Sequence, residues 1–209
     1  KDLRHRRKVA VKVLHSGLSS AVGADRFLQE IEFAARLHHP HILPLYDSGK
    51  AGPFLFYVMP YVTGESLRER LYRSGPLPVQ EALRIVRDVA DALAYAHENK
   101  IVHRDLKPTN VLLTNDGAKI SDFGIAHVEY DKQATSLTQT AAILGTFNYM
   151  SPEQARGKPV DERIDIWAVG VMLYEMLSGH RPFAGDSYNQ ILSEILLETP
   201  RPLAELTSN

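Results

Sequence analysis

Hydrophobic and polar positions divide the chain into a first part dominated by strands and a second part dominated by helices. β-Branched residues alternate along residues 9–14, and the apolar runs at 42–46 and 54–59 are also typical of strands. Between them, apolar residues recur every three to four positions over residues 27–37. This spacing predicts an amphipathic helix that Pro40 ends.

The second part is predicted to begin after the breaker Pro60–Gly64. Ser66 and Glu69 form a capping-box pattern, which predicts a short helix that ends near Arg73. Pro78 is suited to the first turn of a second, longer helix. One stripe of this longer helix is predicted to contain Leu83, Val86, Ala90, Leu93 and His97.

Farther along, a turn at Asn115–Gly117 joins two predicted strands, Val111–Leu113 and Ala118–Ser121. Residues 124–150 have no steady period and are interpreted as a long loop, and loops of that length are usually functional or disordered. Ile164–Leu177 is apolar almost all round, which predicts a buried helix. The whole pattern predicts an α+β protein with two lobes that meet near the breaker.

Composition narrows the classes of function. The chain has 24 Lys and Arg against 25 Asp and Glu, a net charge of −1, so no global charge attracts it to nucleic acid. The basic start, residues 1–8, is interpreted as a solvated strand edge rather than a nucleic-acid arm. The chain has no cysteine, which excludes disulfides and thiolate metal sites. No apolar run approaches the roughly 20 residues of a membrane span, so we expect no membrane contact by this segment.

The densest polar cluster is His-Arg-Asp-Leu-Lys-Pro-Thr-Asn at residues 103–110. Phosphoryl transfer needs a carboxylate that orients the attacking hydroxyl, a cation near the transferred phosphate and an oxygen ligand for a metal. Asp105, Lys107 and Asn110 are residues of these three types. The tripeptide Asp-Phe-Gly at 122–124 follows a predicted strand, where the glycine lets the chain turn and the carboxylate can point at Mg²⁺.

Lys12 lies on the first predicted strand in an apolar setting. Glu30 lies inside the apolar stripe of the next predicted helix, where a carboxylate is costly to bury without a cation. We therefore expect Lys12 to pair with Glu30. Glu32, on a more mixed face of that helix, is the alternative partner.

Together these motifs resemble the eukaryotic-type protein kinase family. Two later segments are similar to the family's activation-segment end and to its buried central helix, residues 145–153 and 165–170. Four further segments are similar to bacterial Ser/Thr kinases: residues 45–49, 57–61, 64–67 and 151–157. The resemblance implies a bilobal kinase fold, ATP with Mg²⁺ or Mn²⁺ as cofactors, and protein substrates with Ser or Thr acceptors.

The resemblance assigns catalytic roles residue by residue. Asp105 would orient or deprotonate the acceptor hydroxyl, and Lys107 would steady the γ-phosphate. Asn110 and Asp122 would hold the metal. Asp165 would brace the backbone of the catalytic segment from below.

The same resemblance implies a nucleotide pocket. Lys12, paired with Glu30, would hold the α- and β-phosphates, and adenine would lie between Ala10 and Leu112. Pro60 has no N–H, so the hydrogen bond to adenine is expected from the backbone of Val62. The residues expected to bind the nucleotide are Ala10, Lys12, Met59, Pro60, Tyr61, Val62, Ser66, Leu112 and Asp122.

The resemblance also divides the chain. Residues 1–62 are expected to be a small lobe without the family's glycine-rich loop, and residues 63–209 a large lobe without its last helices. A cytoplasmic location is implied, including that of the cytoplasmic part of a membrane-anchored kinase, and a homodimer through the small lobe stays open.

Two other classes of function remain open from the sequence. One is a nucleotide-binding pseudokinase or scaffold, which the complete set of catalytic residue types disfavours. The other is a small-molecule kinase such as an antibiotic phosphotransferase, which Lys107 and the 145–153 segment disfavour.

The predicted loop carries a testable expectation about activation. In the family, an arginine before the catalytic aspartate goes with loop phosphorylation, and Arg104 has that position. A phosphothreonine adds roughly −1.5 to −2 charges that an arginine can bind, and we predict autophosphorylation at Thr138 and Thr140. Incubation with Mg-ATP and phosphate mapping by mass spectrometry checks this, and phosphate confined to other loop residues, such as Thr135, would contradict it.

Overall fold

The computed structural model describes residue 2 and residues 4–14, 27, 29, 31–123 and 147–206 of the 209-residue chain. Its strands are β1 (Val9–Leu14), β2 (Asp47–Ala51), β3 (Phe54–Pro60), β4 (Glu65–Ser66), β5 (Val111–Thr114) and β6 (Gly117–Ile120). Its helices are α1 (Leu67–Ser74), α2 (Val79–Glu98), α3 (Pro152–Ala155), α4 (Arg163–Ser178) and α5 (Tyr188–Leu197). Residues 31–34, Phe27 and Gln29 are also helical, and Pro108–Asn110 and Leu203–Glu205 form 3₁₀ turns.

The first sheet is antiparallel, with strand order β1-β3-β2. Alternation along β3 places Leu55, Tyr57 and Met59 on one buried face, because successive side chains of a strand point to opposite sides. These residues pack against Phe27 and Ile31 of the first helical segment and form a small hydrophobic core. The predicted strands at 9–14 and 54–59 are confirmed.

The second sheet, β4-β5-β6, places the two polar motifs side by side. The 3₁₀ turn Pro108–Asn110 leads directly into β5, and Ser121 follows β6. The tight turn between these strands needs Gly117, whose φ is +107° and whose Cβ, if present, would lie 2.7 Å from a carboxylate oxygen of Asp88. The predicted hairpin is therefore confirmed.

The helical part is built around α4. This helix packs against α2 and contributes Ala168, Val171, Met172 and Met176 to the larger hydrophobic core. It ends at Gly179, which adopts the left-handed conformation with φ 73°. The predicted buried helix is confirmed.

Short-range signals also predicted the start of α1 correctly. Ser66 is its N-cap: its Oγ accepts a hydrogen bond from the backbone N–H of Glu69 at 3.2 Å. The Glu69 carboxylate in turn accepts a hydrogen bond from the backbone N–H of Ser66 at 2.7 Å. Both halves of the capping box are therefore present.

The predicted strand at 42–46 is wrong. Ile42 forms only an isolated bridge with Ile120, and the regular strand is the polar segment Asp47–Ala51, which pairs with β3. The apolar run is buried for another reason: Ile42 belongs to the larger core and Leu43 to the smaller one. Consecutive side chains thus face two different cores where the chain passes between the two parts of the molecule.

The predicted stripe on α2 is displaced by about one residue. Leu83 is 48% exposed, and Ala90 is also exposed. The buried residues of this helix are Ala82, Ile85, Val89, Ala92, Leu93 and Ala96. Three of them are alanines, which let α4 and β6 approach closely, so the larger apolar side chains were a poor guide to the buried face.

Among the described residues, no helix is both long enough and apolar enough to cross a membrane. The division into lobes at residue 62 remains a prediction.

A matched pair of substitutions tests the corrected face of α2. Ile85 is 7% exposed and Leu83 is 48% exposed. Ile85→Ala should lower the free energy of unfolding by about 2–5 kcal/mol, because it leaves a cavity in the core. Leu83→Ala should change it by less than about 1 kcal/mol. Urea unfolding measures both, and equal losses would contradict the assignment of the buried face.

Candidate active site

A buried histidine and a buried aspartate hold the segment 103–110 in place. His103 is fully buried, and its Nε2 lies 2.9 Å from the carbonyl oxygen of Ser121. Its Nδ1 accepts a hydrogen bond from the backbone N–H of Asp105 at 3.3 Å. These contacts fit a neutral imidazole with its proton on Nε2.

Asp165, in the first turn of α4, fixes the same segment from below. Its two carboxylate oxygens accept the backbone N–H groups of His103 at 2.8 Å and Arg104 at 2.9 Å. The Nε2 of His97 lies 2.8 Å from the same carboxylate. The brace expected from the resemblance is therefore present. It supports a left-handed backbone at Arg104, where φ is 70°, a conformation that costs a non-glycine residue on the order of 1–3 kcal/mol.

The three chemical groups predicted in this segment lie together. The Lys107 ammonium donates to the Asp105 carboxylate at 2.7 Å. The Asn110 side-chain amide donates to the Asp105 backbone carbonyl at 2.8 Å, which directs its Oδ1 away from that contact. Asn110 is 5% exposed, whereas Asp105 and Lys107 are partly open to solvent. An ionised carboxylate, an ammonium and an amide oxygen thus share one small volume.

Asp122 lies beside this cluster because the backbone N–H of Ser121 donates to the Asn110 carbonyl at 2.9 Å. Its own backbone is left-handed, with φ 68°. Its carboxylate accepts hydrogen bonds from the Lys12 ammonium, from the Tyr57 hydroxyl at 2.5 Å and from the Ser121 hydroxyl at 3.1 Å.

Burial alone would raise the pKa of the Asp122 carboxyl. The Lys12 charge and the hydrogen bonds from Lys12, Tyr57 and Ser121 outweigh this effect and hold the pKa below its usual range. Asp122 is therefore ionised at neutral pH.

Lys12 contacts Asp122, so the small sheet and the second sheet meet at this ion pair. The predicted partner Glu30 lies outside the described residues. The alternative partner, Glu32, is 71% exposed and pairs with Arg36 at 3.2 Å, one helical turn along. Glu32 is therefore a surface residue and does not hold Lys12.

Four of the predicted nucleotide-binding residues, Met59, Ala10, Val62 and Leu112, belong to the small core or pack against it. In the β1-β3 register, Ala10 lies opposite Met59, and in the β4-β5 register, Ser66 lies opposite Leu112. Ala10, Val62 and Leu112 are partly buried and pack against that core. Pro60 ends β3 directly before Tyr61.

Tyr61 is 56% exposed, and Lys8 lies over its ring, 5.6 Å from the centroid. Its side chain is therefore largely open to solvent. The predicted phosphorylation sites, Thr138 and Thr140, lie outside the described residues.

A buried ionic cluster below the site was not predicted. The Arg68 guanidinium donates to the Glu175 carboxylate at 3.0 Å and to the Tyr149 hydroxyl, which itself donates to Glu175. Arg181 contacts the same carboxylate at 3.4 Å. Glu175 is 5% exposed. Its position inside an otherwise apolar helix was the available signal, because a buried carboxylate requires a cation.

Tyr57 and Ser121 were also missed as partners of Asp122. Tyr57 occupies an inward position of β3 and is 2% exposed. A buried tyrosine hydroxyl usually has a hydrogen-bond partner, which was the sequence signal.

The donor set fits a divalent cation of the Mg²⁺ type. Such ions prefer oxygen ligands, and the site offers an ionised carboxylate on Asp122 and an amide oxygen on Asn110. Both side chains are almost fully buried and fixed by hydrogen bonds.

The chain belongs to the protein kinase domain family, whose model matches residues 1–207. It is 45% identical over 208 residues to serine/threonine-protein kinase PknB of Mycobacterium leprae, covering 97% of this chain and 33% of that protein. It is 41% identical over 197 residues to serine/threonine-protein kinase PrkC of Bacillus subtilis, covering 93% of this chain and 30% of that protein.

A solved structure agrees with this assignment. The crystal structure of a mutant of the Mycobacterium tuberculosis PknI kinase domain superposes with a TM-score of 0.71 at 33% identity, covering 95% of this chain and 70% of that one. The predicted kinase fold, with a small sheet-based lobe and a larger helical lobe, is therefore confirmed. The chain spans about a third of the length of the two curated relatives.

Asp165 offers a test of how the catalytic segment is held. Asp165→Asn replaces one accepting oxygen with an NH₂ group, so a buried backbone N–H loses its acceptor, at a cost of about 1–3 kcal/mol. We expect a lower melting temperature and a lower kcat. Asp116→Asn, at an exposed turn residue, is the matched control and should change neither. An unchanged melting temperature for Asp165→Asn would contradict the bracing role.

Proposed function

We propose that this chain is the catalytic part of a Ser/Thr protein kinase that transfers the γ-phosphate of ATP to hydroxyl groups of proteins. One observation carries this proposal. The Asp105–Lys107 ion pair and Asn110 lie directly beside the Asp122–Lys12 ion pair, so the groups that phosphoryl transfer needs converge between the two sheets.

Asp105 acts on the acceptor. Its carboxylate is partly exposed and can accept a hydrogen bond from a serine or threonine hydroxyl. As the hydroxyl oxygen forms a bond to the γ-phosphorus, the bond from that phosphorus to the β-phosphate oxygen breaks and ADP leaves. Asp105 orients the hydroxyl and takes up its proton, which then passes to solvent.

Cations of the chain bind the phosphates. Lys107, held 2.7 Å from Asp105, neutralises charge on the γ-phosphate at the point of attack. Lys12 is half exposed and can turn from Asp122 to the α- and β-phosphates. Asn110 and Asp122 would hold Mg²⁺ or Mn²⁺, which would supply positive charge that neutralises the phosphates.

The adenine is placed by an apolar slot. Ala10 and Leu112, which pack against the small core that contains Met59, would border the adenine, and the backbone N–H of Val62 would donate to it. Ser66 lies opposite Leu112 in the sheet, and because its hydroxyl is bonded to Glu69, its predicted contact with the nucleotide stays a prediction.

Arg104 supports regulation by loop phosphorylation. Its Nε is buried and has no hydrogen-bond partner among the described residues. A guanidinium in that state is suited to bind a phosphothreonine, in keeping with the predicted sites Thr138 and Thr140. The proposal also includes Lys12–Glu30 pairing, the lobe division at residue 62 and a cytoplasmic location, while a homodimer through the small lobe stays open.

The relatives' names support Ser and Thr as acceptors, since both are called serine/threonine-protein kinases. A nucleotide-binding pseudokinase or scaffold is the alternative. The two intact ion pairs at Asp105 and Asp122 disfavour it, because a pseudokinase has no need of both.

Phosphate transfer from radiolabelled ATP tests the proposal. The chain should label myelin basic protein, a generic basic substrate, on serine and threonine in the presence of Mg²⁺ and should not label an aminoglycoside. Asp105→Asn should lower the rate at least about 10²-fold, the scale of a general base, while Asp116→Asn should keep it. Binding of ATP without any transfer, by the chain and by a longer form of the protein, would establish the pseudokinase instead.

A further inference from the structure

Both oxygens of the Asp122 carboxylate are engaged by protein donors. Oδ2 accepts from the Lys12 ammonium and, at 3.1 Å, from the Ser121 hydroxyl, whereas Oδ1 accepts from the Tyr57 hydroxyl at 2.5 Å. A carboxylate has about four acceptor positions, two on each oxygen. Among the described contacts, Oδ2 is therefore filled and Oδ1 retains one position.

The Tyr57 hydroxyl is a well-defined part of this arrangement. Tyr57 is 2% exposed and lies on β3, with the ring of Phe27 6.5 Å away between centroids. A separation of 2.5 Å is typical of a hydroxyl that donates to an ionised carboxylate, a bond about twice as strong as one between neutral groups. A phenylalanine would fill the same space, so packing alone does not require the hydroxyl.

The contact joins the two lobes. Tyr57 belongs to the small sheet, whereas Asp122 follows β6 of the second sheet. Asp122 also adopts a left-handed backbone, φ 68°, that a non-glycine residue keeps only when its surroundings fix it. Two donors from the small lobe and one from its own neighbour thus fix the orientation of the carboxylate.

We propose that Tyr57 is a positioning residue for the metal site: its hydroxyl orients the Asp122 carboxylate so that the remaining position of Oδ1 faces a divalent cation. This inference rests on the proposed role of Asp122 as a metal ligand. Groups that hydrogen-bond to a metal ligand fix its orientation, and their loss typically weakens metal affinity 10–100-fold. Tyr57 acts through Asp122 and does not itself touch the phosphates.

Calorimetric titration with a non-hydrolysable ATP analogue, with and without Mg²⁺, tests the inference without turnover. Tyr57→Phe should bind the metal-free analogue as the wild type does, but its gain in affinity on adding Mg²⁺ should be about tenfold smaller. Titration with Mn²⁺, followed by electron paramagnetic resonance, should give the same loss. Tyr72→Phe is the matched control, since Tyr72 is 92% exposed, and it should behave as the wild type.

The remaining outcomes separate the inference from the proposed function. If Asp122→Asn keeps the full gain from Mg²⁺, the metal role of Asp122 fails whatever Tyr57 does. If Asp122→Asn loses that gain but Tyr57→Phe keeps it, Tyr57 only packs and the inference is overturned. A larger gain in Tyr57→Phe would also overturn it and would make the hydroxyl a competitor of the metal. Should Tyr57→Phe melt far below the wild type, Ser121→Ala tests the same constraint on the Asp122 carboxylate, with a smaller loss expected because the Tyr57 hydroxyl still holds Oδ1.

Discussion

The hydrogen bonds from two backbone N–H groups to the Asp165 carboxylate are the constraint on which the active site depends. They link the central helix of the large lobe to the loop that carries Asp105, and they do so in a region where water cannot substitute for the acceptor. Because Lys107 and Asn110 belong to the same short segment, fixing His103 and Arg104 also restricts the positions of these two residues. The helix that carries Asp165 is anchored in the larger hydrophobic core, so packing of that core also fixes the polar side chains of the catalytic segment.

The two lobes meet through charge rather than through apolar contact alone. Lys12 is placed by regular pairing of β1 with β3, whereas Asp122 lies two residues past the end of β6, in a left-handed backbone conformation. The two cores also touch, because Leu45 packs against both and Leu112 of the second sheet packs against the smaller one. An ion pair and shared apolar contacts thus hold the two sheets together.

The sequence predicted best those features that depend on local rules. The Ser66–Glu69 capping box, the hairpin at Gly117 and the helix around Asp165 all follow from short-range patterns, and the structure contains each of them. The strand at 42–46 and the face of α2 were wrong because both depend on which distant element covers a residue. The hydrophobicity of Ile42 predicts that this residue is buried. It does not predict whether Ile42 lies in a paired strand or in an irregular segment that packs into the larger core.

The catalytic residues were predicted from motif and residue type, whereas their supporting contacts were not. Nothing near Asp122 in the sequence points to Tyr57, since the two meet only after both sheets form. Glu175 is a different case, because a carboxylate within the apolar part of α4 is a signal for a partner cation, and the structure supplies Arg68 and Arg181.

The left-handed backbone at Arg104 has a consequence for the range of sequences that this fold accepts. A glycine would adopt φ 70° without steric strain and would leave the bonds to Asp165 intact, since those involve only the main chain. Architecture alone would therefore select the smallest residue at this position. Arg104 therefore shows that a residue of the catalytic segment can be held through its main chain, so the contact with Asp165 does not restrict the choice of side chain.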